Sequence, residues 1–190
     1  MKKGVAAYRL MGQLRRSEAG AALVEAAFIM PIIVGMVFGG LEIGRYVFDI
    51  QRAGRVAMST ADLISRNDEI STTQLSSLLD AANEIVGSES FSTKARVIVS
   101  YVRRTGSSAP TIEWQETRGP DGLGEPLVGS VGATATLPET VTLDEDEAVV
   151  VSEIYHPYSP LVFDSLLGDR TIYRVAYFRP RYGRLVLTTE

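Results

Sequence analysis

Hydrophobic positions follow three regimes along this chain. From Gly20 to Leu41 they run almost unbroken, with Glu25 as the single charge. Beyond that run they recur at helical spacing, at Ile43, Val47, Ile50, Gly54, Ala57, Ala61 and Ile64, while Arg45, Asp49, Arg52 and Arg55 occupy other faces. The two regimes join without a breaker, which predicts one long helix rather than two. Gly54, Ala57 and Ala61 are small enough to let a sheet or another helix approach its distal half closely. Asn67-Asp68 interrupts the pattern, and Ser71-Thr-Thr-Gln74 then offers a capping-box start for a second helix. Leu75, Leu78, Leu79, Ala82 and Val86 form its apolar stripe, with Gly87 as a stop.

In the third regime the period shortens. Lys94 to Arg103 and Pro110 to Thr117 read as strands joined through Gly106-Ser-Ser, a hairpin. A loop follows at Gly119 to Pro126, and further strands fall around Glu147 to Tyr155 and Thr171 to Phe178. Helices followed by strands indicate an α+β fold, with an antiparallel sheet packed on the distal part of the long helix.

At ~1.5 Å per residue, the run from Gly20 to Leu41 would form a helix about 30 Å long, the thickness of a bilayer core. Three readings compete for it. A cleaved secretory signal wants a shorter apolar core and a small-residue cleavage site, neither of which is present. A buried core helix seldom carries a basic flank ahead of some twenty nearly uncharged residues. A membrane-spanning helix accommodates both features. Met1 to Gly20 carries Lys2, Lys3, Arg9, Arg15 and Arg16 against Glu18, about +4, which leaves about -8 on the acidic remainder. The positive-inside bias therefore places the leader in the cytoplasm and everything after Leu41 across the membrane.

Within this run Glu25 is a functional candidate, because an unpaired carboxylate in lipid costs several kcal/mol; the plain alternative is that it reaches the headgroups. Pro31 removes a backbone donor and is expected to kink or loosen the helix. Gly35/Gly39 and Gly40/Gly44 are two small-xxx-small pairs that permit close helix approach.

Composition narrows the chemistry. The 190-residue chain has no cysteine and one histidine, His156, which excludes thiolate zinc sites, cysteine nucleophiles and His-rich metal cages. A net charge of -4 argues against nucleic-acid binding. The acidic run Asp144 to Glu147 lacks the spaced ligands and turn glycine of a calcium loop and reads as a solvated turn. His156 has no nucleophile pattern nearby and reads as packing within a turn. Gly122-Leu-Gly124 lacks the third glycine and the strand-to-helix context of a dinucleotide fingerprint. Trp114 reads as core. No catalytic residue, metal site or cofactor is expected, and the protein is not read as an enzyme.

Arg15-Arg16-Ser-Glu-Ala-Gly20, then Ala21-Ala-Leu-Val-Glu25-Ala-Ala-Phe-Ile-Met-Pro31, and the exit Glu42-Ile43-Gly44-Arg45 together resemble the amino-terminal signature of TadE-like pseudopilins. These belong to the tight-adherence (Flp-type) branch of type IV pili. A looser similarity covers Ala148 to Leu161, with its Tyr-Pro-rich turn, and Arg179-Pro180-Arg181; the tail beyond Arg181 departs from the pattern. The resemblance implies removal of the leader by a prepilin peptidase between Gly20 and Ala21, leaving Glu25 fifth in the mature chain. It implies a pilin-like head on a helical stalk, and a minor pilin that helps assemble an adhesive pilus. The implied partners are the peptidase, major and minor pilins, the inner-membrane assembly platform and the bilayer.

Cleavage would create an α-amino cation that Glu25 of a neighbouring subunit could neutralise, setting register. The corresponding organisation is a leader at 1–20, a transmembrane helix at 21–41, its extramembrane continuation at 42–66 and a periplasmic α+β head at 67–190. An uncleaved single-pass scaffold of an envelope secretion machine is the alternative.

Overall fold

A computed structural model describes residues 18–85, 94–162, 164 and 168–188. Most of the basic leader, with Lys2, Lys3, Arg9, Arg15 and Arg16, lies outside them, as do Val86, Gly87 and the side chain of Ala82. The single long helix is present: α1 spans Glu18–Ser65, 48 residues, and continues through Pro31. A short strand β1 (Glu69–Ser71) leads into α2 (Thr72–Ile85). The capping box forms as expected, with Gln74 N–H donating to Ser71 Oγ and Ser71 N–H donating to Gln74 Oε1, both at 3.1 Å.

Four strands make the antiparallel sheet, in the order β3-β2-β4-β5: β2 (Arg96–Arg103), β3 (Thr111–Arg118), β4 (Ala148–Tyr158) and β5 (Arg170–Phe178). The expected α+β class therefore holds. Both central strands are buried almost throughout, because the sheet is covered on both faces. On one face, Ala53, Val56, Ala57, Ala61 and Ile64 of α1 and Leu75 and Leu79 of α2 pack with Val97, Val99 and Tyr101 of β2 and Val150 and Ile154 of β4. Trp114 belongs to this core, stacked on Tyr101 with ring centroids 5.5 Å apart. On the other face the segment between β3 and β4 folds over the sheet, bringing Val128 and Leu143 against Val102, Ile112, Val149 and Val151.

Glycine permits that cover. A Cβ on Gly124 would stand 2.4 Å from the Tyr155 ring, and Gly119, with φ of +101°, would place one 2.1 Å from the Ala95 carbonyl oxygen. The acidic run Asp144 to Glu147 is a turn, closed by Asp144 N–H donating to Glu147 Oε2 at 2.9 Å, while Arg179 pairs with Glu147 at 2.8 Å.

Two expectations are corrected. Ile43 and Val47 are exposed, at 66% and 42%, and no atom comes within 4 Å of a Cβ built on Gly54. The expected Ile50, Ala57, Ala61 and Ile64 do face the head, but the rest of that face is made by Glu42, Tyr46, Ala53 and Val56. Apolarity misled here, because close to an uncovered apolar run the outward positions are as apolar as the inward ones. Secondly, His156 is not in a turn: β4 continues through His156-Pro157-Tyr158, where β2 has already ended opposite Tyr155. Pro157 thus lies where β4 keeps only β5 as neighbour, a position that tolerates a strand proline. The tail beyond Arg181, where the sequence marked no element, forms β6 (Val186–Thr188), which pairs in parallel with β1. Arg181 N–H donates to the Ser65 carbonyl at 2.9 Å and Val186 N–H to that of Asp68 at 3.0 Å, so the tail closes over the end of α1.

The outer cover also encloses a carboxyl group. Glu153 is fully buried on β4, and its Oε1 accepts from Leu127 N–H and from the Tyr173 hydroxyl, both at 2.9 Å. Burial raises its pKa above the ordinary 4.5, outweighing these bonds. The folded chain therefore holds this proton where the unfolded chain has released it, so stability falls as pH rises from 4.5 through the raised value. Each unit of elevation removes ~1.4 kcal/mol at neutral pH. Glu153→Gln keeps an acceptor for both donors and cannot ionise. Urea midpoints of the full chain in detergent should fall between pH 4.5 and pH 8 for the wild type, with Glu153→Gln flattening that dependence.

Candidate functional site

Two regions of α1 carry the functional signals, and they differ in what surrounds them. Among the described residues, α1 is the one helix long and apolar enough to cross a membrane, and none of its most apolar stretch is buried against the rest of the chain. Phe28, Ile32, Met36 and Leu41 are 75%, 63%, 72% and 61% exposed. This removes the buried-core-helix reading, since exposing such a continuous apolar surface to water is strongly unfavourable.

The residues singled out from sequence lie along this uncovered part. Gly20 and Ala21 sit in the first turns of α1, Gly20 half-buried and Ala21 exposed. Glu25 is exposed and, among the described residues, has no hydrogen-bond or ion-pair partner; it lines a shallow groove with Ala22, Ala26, Ile29, Met30 and Ile33. Pro31 is exposed within the helix. A Cβ built on Gly35, Gly40 or Gly44 would meet no atom within 4 Å, and Gly39 is half-buried. Gly35, Gly40 and Gly44 thus remain on helix surface that the head leaves unfilled.

Burial begins at Glu42, one residue beyond the apolar run. This carboxyl group is 4% exposed and gathers four donors from two parts of the chain. Oε1 accepts a hydrogen bond from the Tyr158 hydroxyl, at the end of β4, and faces Arg45 Nη1 at 3.5 Å. Oε2 accepts from the backbone N–H groups of Leu161 and Val162 at 3.0 and 3.1 Å. The Tyr158 bond is the largest influence holding the Glu42 carboxyl below its ordinary pKa, with the two N–H groups and Arg45 adding to it against burial. Burial, then the bond to Glu42, pushes the Tyr158 hydroxyl up to about 12.

Tyr158 also meets Tyr46 edge-on, with centroids 5.0 Å apart, and lies beneath the Arg45 guanidinium at 6.0 Å. The sequence reading marked Glu42 only as part of an exit motif and gave Tyr158 no role. A carboxylate closing an apolar run was itself a signal that a donor must be supplied from elsewhere in the chain.

A buried acceptor serving several donors is costly to delete, since each donor is left unsatisfied. Glu42→Ala should lower the thermal midpoint of the full chain in detergent and open the 158–162 segment to protease. Tyr158→Phe, which removes one donor and keeps the ring, should shift the midpoint in the same direction by less than half as much. Equal shifts would mean that ring packing, and not the carboxylate network, holds the junction.

Residues 20–62 match the family model described as TadE-like protein. No curated protein and no solved structure matches the chain. The match takes in the uncovered apolar part of α1, the Glu42 junction and nearly all of the packed continuation. Over this stretch of the long helix, less than half of the chain, the sequence is similar to TadE-like proteins.

Proposed function

We propose that the chain is a minor pilin, or pseudopilin, that takes part in assembling a tight-adherence pilus used for surface adhesion. Its role is structural and interactive. A prepilin peptidase removes the basic leader between Gly20 and Ala21. Residues 21–41 cross the bacterial inner membrane, 42–66 continue the helix beyond it, and 67–190 form a head on the periplasmic side, an orientation supported by the basic leader. Major and minor pilins, the peptidase and the assembly platform are its partners. The observation that carries this reading is the apolar helix left bare by its own head. A surface of that kind needs lipid before assembly and other apolar helices after it.

The mechanism follows from the same surface. Extraction from the bilayer moves α1 from lipid into a helical bundle, exchanging one apolar environment for another at small net cost in burial. Directional pairing then falls to the few polar groups. The new α-amino group at Ala21 and the Glu25 carboxylate of a neighbouring subunit form a matched pair in low dielectric, and a wrongly staggered subunit leaves both charges unpaired. Gly35, Gly39, Gly40 and Gly44 offer close-approach positions to neighbouring helices.

Amino-terminal sequencing and intact mass of the protein from its native membrane, with and without the peptidase, test the processing step. A chain starting at Ala21 only when the peptidase is present is the expected result. A full-length chain in both samples would favour a fixed single-pass scaffold of an envelope machine and abolish the proposed amine pairing. For Glu25→Ala, membrane recovery should match the wild type, while incorporation into sheared pili falls by about tenfold or more, the consequence of losing ~1.4 kcal/mol or more of pairing. Undiminished incorporation would remove Glu25 from the assembly step.

A further inference from the structure

Glu42 fixes where the segment following β4 sits relative to the apolar run. A helical side chain leans toward the helix N-terminus, so the Glu42 carboxylate draws its partners back over the last turn of that run. Those partners include the N–H groups of Leu161 and Val162, at 3.0 and 3.1 Å. Gly39, at that turn, is half-buried while its neighbours Phe38 and Gly40 are exposed. The backbone of the segment is therefore anchored, yet the Leu161 and Val162 side chains point outward, 72% and 48% exposed.

Scattered exposed aliphatics are ordinary on protein surfaces. These two differ because hydrogen bonds hold them at the level where the bare helix ends. Their surroundings are also distinctive. Tyr46 and Tyr158 pack edge-on, Arg45 covers the Tyr158 ring, and Arg170 lines a cavity of about 200 Å³ with both tyrosines, Glu42, Ile43 and Pro160. Apolar tips followed by tyrosines and arginines reproduce the order of groups met on leaving a bilayer, from acyl chains to headgroups.

We propose that Leu161 and Val162 insert into the boundary between headgroups and acyl chains of the bilayer that α1 crosses, forming a second, shallow membrane contact, with Arg45 and Arg170 at the level of the lipid phosphates. The inference rests on the membrane reading of α1. Two points of attachment restrict rotation of the head about the helix axis, so the subunit waits in the membrane with one face presented. Extraction withdraws both contacts together, because Glu42 ties one to the other.

The chain has no native cysteine, so single labels report cleanly. Full-length Leu161→Cys, Ile32→Cys and Val131→Cys, each carrying an environment-sensitive fluorophore, are reconstituted at high lipid-to-protein ratio. The vesicles are phosphatidylethanolamine and phosphatidylglycerol. Ile32 lies within the apolar run and Val131, 57% exposed, lies in the outer cover of the sheet. Quenching is read with nitroxide-labelled lipid and with aqueous iodide. At position 161, lipid quenching should reach about half or more of that at position 32, with iodide quenching about threefold or more below that at position 131.

If position 32 is quenched by lipid but position 161 behaves like position 131, the second contact is wrong and the membrane reading stands. Shielding of position 161 from both quenchers would mean that protein covers it, which also overturns the proposal. Failure of lipid quenching at position 32 itself would overturn the membrane reading and the proposal with it.

Discussion

The structure turns on one buried carboxylate. Glu42 stands where α1 passes from bare to packed, and its oxygens gather a tyrosine from the end of β4, two backbone donors from the following segment and an arginine one turn ahead. The net contribution of each contact is modest, since each exchanges a bond to water for one within the protein. Their value lies in geometry. Those from Tyr158, Leu161 and Val162 join positions 116 to 120 residues apart and set the height of the head on the helix at the point where apolar packing has not yet begun. Beyond Glu42 the sheet takes over, through Ala53, Val56, Ala57, Ala61 and Ile64, with small side chains allowing the helix to lie close.

Attachment is reinforced at the far end. The tail returns to the end of α1, where Arg181 N–H meets the Ser65 carbonyl and β6 pairs with β1. Tyr101 couples this closure to the sheet, its hydroxyl accepting from Leu185 N–H at 3.1 Å. The packed half of α1 is thus held at both ends by polar contacts and between them by apolar burial. Among the described residues, the most apolar stretch of the other half is left uncovered by the head. That division lets one helix serve as core for a head and as an element for a membrane or a bundle.

Glu153 and Glu42 show how position decides what a carboxyl group does. Both accept several hydrogen bonds, but Glu153 lies in the middle of the sheet under the outer cover, where burial dominates and favours its proton. At the edge of the head, Glu42 meets enough donors to favour its charge. Residue type alone distinguishes neither case.

Local chemistry was legible in the sequence wherever a rule acts over a few residues. The capping box at Ser71 and Gln74, the strands, the apolar run and the family signature around Glu25 and Pro31 all depend on spacing or on short-range hydrogen bonds. The inward face of α1 was not legible at its upper end, because Ile43 and Val47 are as apolar as a core demands while Glu42 and Tyr46 are what the head takes in. Nor was β6, three residues long and paired with a strand 117 positions away, since no periodicity develops over so short a stretch.

The sequence by itself determined a long helix with a lipid-compatible first half and an α+β head, because hydrophobic period and charge are written residue by residue. Only the tertiary structure decided which side of that helix the head grips and which carboxylate locks it. Those outcomes depend on donors that the chain brings together from positions more than a hundred residues apart.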